Sequence, residues 1–511
     1  MDIVKKGIIV FISLLPVFMA VSCETGGPGD DGSKDDVPQI VIPDKEGMTV
    51  KGIVINSQTR EPLSGVMVSD GRLCTLTGDD GIYYLPTDLT TQRCVFVCVP
   101  PEFEVPMNSS NCFNAWKSLV TGTVKDVYTV NFSLTPRKEP VGKYQIIFCG
   151  DPQIRTTDQS IPSYEYVVQG LAEFSAGAAV PQYMINLGDL VFNEVSIYNT
   201  YKRYLSTAAI PSFNLPGNHD HDPEKLTEYD AISEYIKALG PNNYSVNIGD
   251  IHYIFLDSVA WGDSDTEDYE SGFNDEALEF LENDLKYVPK DTPLFICTHI
   301  PMSKTSYNFG QGRYNFDRFN DLIAGYNVHA WYGHYHINYF YSYTDEDLAA
   351  GRTKAASFES HIVVRCAGAL SVDKELSSDG VPRGFVVTDI DGKNVTWHYK
   401  TVGEYENEQL RVYTPDMTGE ECVYANVYLW DNKWGDVEWW EDGVKKGNMV
   451  KADGTDPMYV ILFRENGSVG STPTENDTRH LFRYTPSKDA VSGEVRVTDR
   501  FGTTWVQKVE L

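Results

Sequence analysis

Five short polar motifs stand in order along the middle of this chain, most of them directly after an apolar run of strand length. They are Gly150-Asp151-Pro152-Gln153, Gly188-Asp189, Gly217-Asn218-His219-Asp220, Thr298-His299 and Gly333-His334-Tyr335-His336. Residues at the carboxyl ends of strands in layered α/β folds converge on one rim. A glycine before a ligand-type side chain lets the backbone turn close to an ion. The strand-like runs are 145–149, 183–187, 213–215, 253–256 and 294–297. Between the last two, Leu278, Leu281, Leu285 and Val288 recur at helical spacing, with Asn274 or Asp275 positioned to cap. Strand and helix alternating over 143–402 predict an α/β layered domain.

The motifs carry four of the ten histidines, together with Asp, Asn and Gln. Imidazole suits zinc, iron and manganese, while carboxylate and amide oxygens suit harder ions. Two such ions about 3.5–4 Å apart can clamp a phosphoryl oxygen and activate a water between them. Five of the six remaining histidines, at 252, 329, 361, 398 and 480, read as structural or surface residues. His221 lies close enough to His219 to line the same pocket. Asn193, Lys304 and Arg155 follow three of the motifs and sit where a rim loop could touch a phosphate.

At 511 residues the chain has room for about three domains. Residues 48–136 alternate short β-rich runs with turns such as Glu61-Pro62-Leu63 and Asp79-Asp80-Gly81. Residues 405–511 return to β patterning, for instance at 423–428 and 493–497, and read as a second sandwich. That segment holds five of the nine tryptophans, Trp430, Trp434, Trp439, Trp440 and Trp505, which read as sheet packing. The net charge of -31 repels polyphosphate backbones, so no nucleic-acid duplex is expected as a partner. An anionic small molecule needs a metal or basic pocket to reverse that field locally.

Residues 1–22 read as a signal peptide, with Lys5 and Lys6 ahead of an apolar run that ends at Ala20-Val21-Ser22-Cys23. Cys23 after small residues is similar to a bacterial lipoprotein cleavage site. An acidic, glycine-rich tether over 23–47 follows it. The expectation is an exported lipoprotein anchored in the outer membrane through lipidated Cys23, facing the periplasm or the cell surface. Export permits oxidation of Cys74, Cys94, Cys98 and Cys112, whereas Cys149, Cys297, Cys366 and Cys422 read as packed thiols. No CxxC pair is present, which disfavours a cysteine-based zinc site.

The ordered motifs resemble the signature of the calcineurin-like metallophosphoesterases, D-x-H, G-D, G-N-H-[DE], H and G-H-x-H, over about 144–398. The resemblance implies a central four-layer α/β/β/α sandwich flanked by two all-β sandwich domains, as in some bacterial lipoprotein members. Residues 51–83, with Pro62-Leu63-Ser64-Gly65-Val66 and Thr77-Gly78-Asp79-Asp80-Gly81, also resemble a carboxypeptidase-regulatory-like sandwich. The family pattern assigns one metal to Asp151, Gln153, Asp189 and His336. It assigns a second to Asp189, Asn218, His299 and His334, with Asp189 bridging. His219 would act near the leaving group, and Asp220 would orient it through a hydrogen bond.

The chain departs from the pattern at Gln153, where the family usually has histidine. A Gln ligates only through its neutral carbonyl oxygen. The two divalent ions (Mn, Mg, Fe or Zn) should therefore include a harder one at that position. The implied activity is hydrolysis of a small phosphoester by a hydroxide bridging the metals. The alternative is a non-catalytic surface module that captures a phosphorylated ligand through the same metal site.

Overall fold

The apolar run before the first motif forms the strand Lys143–Cys149, five of whose seven residues are buried. It pairs in parallel with Gln182–Asn186, which pairs in parallel with Ser212–Asn214. On its other edge Gly384–Asp391 runs antiparallel and continues into Asn394–Thr401. This five-stranded sheet faces a six-stranded one, ordered Tyr244–Ile248, Ile251–Phe255, Leu294–Cys297, Asn327–Tyr332, Ser357–Ile362 and Tyr339–Ser342. Phe148 stacks on Trp331 across the interface at 3.7 Å, and Phe213 stacks on Phe255 at 5.5 Å. The computed structural model describes residues 40–120, 125–158, 160–262, 269–302, 314–367, 376–403, 408–452, 454–465 and 478–511. The signal run, Cys23, the tether before residue 40 and Lys304 lie outside the described residues.

Helices cover both outer faces. Ser160–Ala176 and Tyr198–Ala208 lie on the five-stranded sheet, with Phe174 against Phe385 and Tyr164 against Tyr201. Asp275–Leu285 lies on the six-stranded sheet, where Asp284 accepts from Ser245 and pairs with His252 at 2.7 Å. Its cap is Asn274, whose side chain accepts from the Ala277 amide. The four layers follow, and the expected α/β/β/α core is present. Among the described residues no helix is long and apolar enough to cross a membrane.

Two four-stranded sheets form the N-terminal unit, one around Val50–Asn56 and one around Met67–Ser69 and Cys94–Val97. It docks on the central domain through Phe113 stacked on Tyr244, Arg72 paired with Glu279, and Arg93 donating to the Tyr229 carbonyl. The oxidation that export would permit is not seen here. All eight described cysteines are thiols, and Cys94, Cys98 and Cys112 are buried. Cys98 accepts from Asn247 and Cys112 contacts the Ser110 carbonyl. Burial pushes the Cys94 thiol up to about 12 and the Cys112 thiol up to about 11.

The C-terminal unit also has two four-stranded sheets, around Val423–Val427 and Ser492–Thr498. Trp439 is fully buried between them, with Trp430, Trp434 and Trp505 packed against that core. Arg500 reaches from this unit to the central sheet. It donates 2.9 Å bonds to both oxygens of Glu359 and one of 2.7 Å to Ser342 Oγ. Burial alone would raise the Glu359 carboxyl, but Arg500 overrides it and holds the group at about 2. A depressed carboxylate stabilises the fold above its unfolded pKa, and that stabilisation is lost as pH falls through the folded value. A drop from the ordinary 4.5 to about 2 corresponds to about 3 kcal/mol. Wild type should therefore lose stability between about pH 4.5 and 2 more steeply than Glu359→Gln, as read by denaturant unfolding across that range.

Candidate metal centre

The parallel strands deliver their motifs to one rim, and the backbone there bends unusually. Eleven described non-glycine residues have positive φ, and six are Asp151, Gln153, Asp189, Asn193, His334 and His336. Left-handed backbone costs an ordinary residue roughly 1–2 kcal/mol. Its concentration here means that the surrounding packing holds these side chains inward against a local preference. The glycines admit that approach. A Cβ on Gly217 would lie 2.2 Å from Asp189 Oδ1, and one on Gly333 would lie 2.5 Å from Asp151 Oδ2.

Asp189 is the hub. Its Oδ1 accepts from the His219 amide at 2.9 Å and lies 3.2 Å from His299 Nε2. Its Oδ2 accepts from Gln153 Nε2 at 3.0 Å. Burial would raise this carboxyl, but the neighbouring His299 and His219 rings hold it far below the ordinary range. Asp151 accepts from the His334 amide at 3.0 Å and faces His336 Nε2 at 3.4 Å. Asn218 Oδ1 lies 3.0 Å from His334 Nδ1 and 3.2 Å from His299 Nε2. All seven residues read as ligands thus converge on one locus.

The donor chemistry fits cations. His299 Nδ1 donates to the Leu187 carbonyl at 2.8 Å, which leaves Nε2 as the coordinating lone pair. Asp151, Asp189 and His299 each offer a ligand atom, and the three atoms lie within 4.8 Å of one another. Among the described residues, Gln153 Oε1, the only Gln atom suited to a metal, is buried with no hydrogen-bond partner, as is His336 Nε2. Burial would lower the His299 imidazolium, yet Asp189 and Asp151 raise it to about 9, a measure of how strongly this locus attracts positive charge.

Asn218, His219 and Asp220 form one 3₁₀ turn. At three residues per turn, neighbouring side chains point about 120° apart. Asn218 faces the ligand cluster, His219 the rim and Asp220 the interior. The expected Asp220–His219 hydrogen bond is therefore absent, and the role read for Asp220 needs correction. Asp220 accepts from the backbone amides of Leu190, Val191 and Gly217 and from Tyr198 Oη, so it ties two rim loops together. Burial, reinforced by Asp189, pushes its carboxyl up to about 7.

Asn193 takes the place expected of Asp220, with its Oδ1 2.8 Å from His219 Nδ1. Phe192 stacks beneath the same ring at 3.9 Å, and Arg155 lies over Phe192 while paired with Asp158. His219 Nε2 is left 4.0 Å from Asp189 Oδ2. Burial lowers the His219 imidazolium, and Asp189 opposes that shift. The sequence marked Asn193 only as a rim residue, and its left-handed backbone is what turns the amide toward the ring. Asn193→Gly removes the amide without backbone strain. It should lower kcat about 10- to 100-fold at unchanged metal content, read by steady-state kinetics beside elemental analysis. His221 does not line this rim. It is fully buried and faces Asp257 and Glu228 instead.

Family models match three consecutive stretches of the chain. Residues 48–137 match the N terminal of calcineurin-like phosphoesterase, 144–338 calcineurin-like phosphoesterase itself, and 368–505 its C terminal. No curated protein matches the sequence. Among solved structures, the chain is similar to purple acid phosphatase PPD1 from yellow lupin (Lupinus luteus) seeds, at 14% identity and a TM-score of 0.38. That match covers 52% of each chain, so this protein spans about half the length of the lupin enzyme. It is similar to PhoD at 10% identity and a TM-score of 0.34, over 87% of this chain and 84% of that one. A 5'-nucleotidase precursor from Thermus thermophilus matches at 11% identity and a TM-score of 0.29, over 51% and 54%. Likenesses this distant carry no argument about chemistry. The three family segments, in order and over most of the chain, do: the chain belongs to the calcineurin-like phosphoesterase family, in the form that carries N- and C-terminal modules.

Proposed function

We propose that this protein hydrolyses a small phosphoester with the help of two divalent ions. The observation that carries the reading is Asp189, whose two carboxylate oxygens face different ligand sets, His299 on one side and Gln153 on the other. Asp151, Gln153, Asp189 and His336 would hold one ion, and Asp189, Asn218, His299 and His334 the other. When bound, such ions would supply positive charge against the phosphoryl oxygens and make a water acidic enough to serve as the nucleophile. The neutral Gln153 carbonyl favours Mn²⁺ or Mg²⁺ at its position.

His219 stands outside the ligand sets. Asn193 engages Nδ1 and Phe192 supports the ring, so Nε2 is aimed at the rim. A proton carried at Nε2 would pass to the departing alkoxide oxygen. Asp220 keeps the loops of Asp189 and His219 in register by holding the backbone amides of both. In a chain of net charge -31, this locus is where an anionic ester would find positive charge. Export and outer-membrane anchoring through lipidated Cys23 are part of the same proposal.

Gln153 supports a second reading. Its amide already donates to Asp189, and a weakly held ion there suits capture of a phosphorylated ligand without turnover. Chelator-stripped protein reloaded with Mn²⁺, Mg²⁺, Zn²⁺ or Ca²⁺ should hydrolyse p-nitrophenyl phosphate or bis(p-nitrophenyl) phosphate only when metal is restored. Loaded protein that binds inorganic phosphate but cleaves neither ester would favour the capture reading.

A further inference from the structure

Behind the loop of Asn218 and His219 lies a second group of ligand-type side chains that phosphoester chemistry leaves unused. His221, Glu228 and Asp257 each offer one atom to a common region, all within 4.8 Å of one another. His221 Nε2 is 3.3 Å from Asp257 Oδ2 and 3.5 Å from Glu228 Oε1. Two atoms bound at about 2.1 Å to one tetrahedral cation stand about 3.4 Å apart. The histidine nitrogen already stands at about that spacing from each of the two carboxylate oxygens.

The hydrogen bonds around the group engage the far side of each residue and, of the three facing atoms, only Asp257 Oδ2. His221 Nδ1 lies 3.0 Å from the Gly217 carbonyl, which can only accept, so Nδ1 carries one proton; burial opposes charge on the ring, but Asp257 and Glu228 override it and draw a proton or a cation to Nε2. Glu228 Oε2 accepts from the Trp261 amide, which turns Oε1 inward. Asp257 Oδ1 accepts from the Val259 amide and Oδ2 from Asn242. Among the described residues, His221 Nε2 and Glu228 Oε1 are buried with no hydrogen-bond partner. Trp261 stacks parallel to the ring at 5.5 Å, so the imidazole is held in this orientation.

We infer that His221, Glu228 and Asp257 form a separate cation site for a zinc-like divalent ion. One imidazole and two carboxylates make a borderline-hard donor set of the kind zinc accepts. Because His221 grips the Gly217 carbonyl, an ion here would brace the turn that presents Asn218 and His219. Its role would be to position that turn, and the site stands or falls independently of phosphoester turnover.

The test uses the full chain with the rim disabled by Asp189→Asn and His299→Ala, stripped of metal and titrated with Co²⁺ and then Zn²⁺. One equivalent of Co²⁺ should bind with the visible bands of a tetrahedral ion, and Zn²⁺ should displace it. Adding Glu228→Gln, which keeps an acceptor for the Trp261 amide, should weaken binding about 100-fold. A folded rim variant that binds no cation, or binding indifferent to Glu228→Gln, overturns the proposal. If the rim variant does not fold, zinc content decides it. Wild type should hold one equivalent more than Glu228→Gln, and equal content overturns the site.

Discussion

Asp189→Asn should strip the rim of its cations and lower turnover by about 10³-fold or more, while the protein stays folded. The reason lies in what Asp189 accepts. The His219 amide donates to one oxygen and Gln153 Nε2 donates to the other. An asparagine must turn its NH₂ toward one of these donors whichever way it flips, so one contact becomes donor against donor. It also removes the buried negative charge that faces His299. Losing several kcal/mol of charge stabilisation at about 1.4 kcal/mol per decade gives the stated loss. Elemental analysis and ester hydrolysis on the same preparation check both halves. Wild-type metal content in the variant would remove Asp189 from the bridging role proposed for it.

His219→Ala should behave differently. The ring engages Asn193 through Nδ1 and stands 4.0 Å from Asp189 Oδ2, outside the sets of side chains read as ligands. Metal content should therefore persist while kcat falls about 10²- to 10⁴-fold, the range for a lost proton-transfer group. The loss should shrink for esters whose leaving group departs easily, because an acidic phenol needs less protonation than an alkyl alcohol. A comparison of nitrophenyl and alkyl phosphoesters reads this directly. An equal loss on both would assign the ring to binding the phosphoryl group instead.

Much of this rim was legible in the sequence because strand ends, glycines and ligand types coincide there. The runs before Asp151, Asp189 and His299 became Lys143–Cys149, Gln182–Asn186 and Leu294–Cys297, and Asn274 caps the helix whose leucines showed its period. What escaped depends on direction rather than composition. Adjacency suggested that Asp220 supports His219, but a 3₁₀ turn sends neighbouring side chains apart. Asn193 has no periodic relation to Asp189, and only a left-handed backbone brings its amide to the imidazole. The pairing of Gly384–Asp391 with Lys143–Cys149 joins strands about 240 residues apart, which no local pattern can announce.

The turn before that late strand has a consequence for how such a chain can be inherited. Ser378 Oγ donates to the His336 carbonyl, and Asp379 accepts from the Asn338 amide, two residues beyond His336. From the other side, Asn426 and Thr478 donate to the Asp379 carbonyl, and His480 lies 3.3 Å from its carboxylate. The C-terminal sandwich thus holds the turn that shapes the last ligand loop. A recombination between residues 338 and 368, in the gap between two family segments, would join a His336 loop to a turn from another ancestor. Such a crossover would keep every ligand residue and still mismatch their support, so these two segments are expected to travel as one heritable unit.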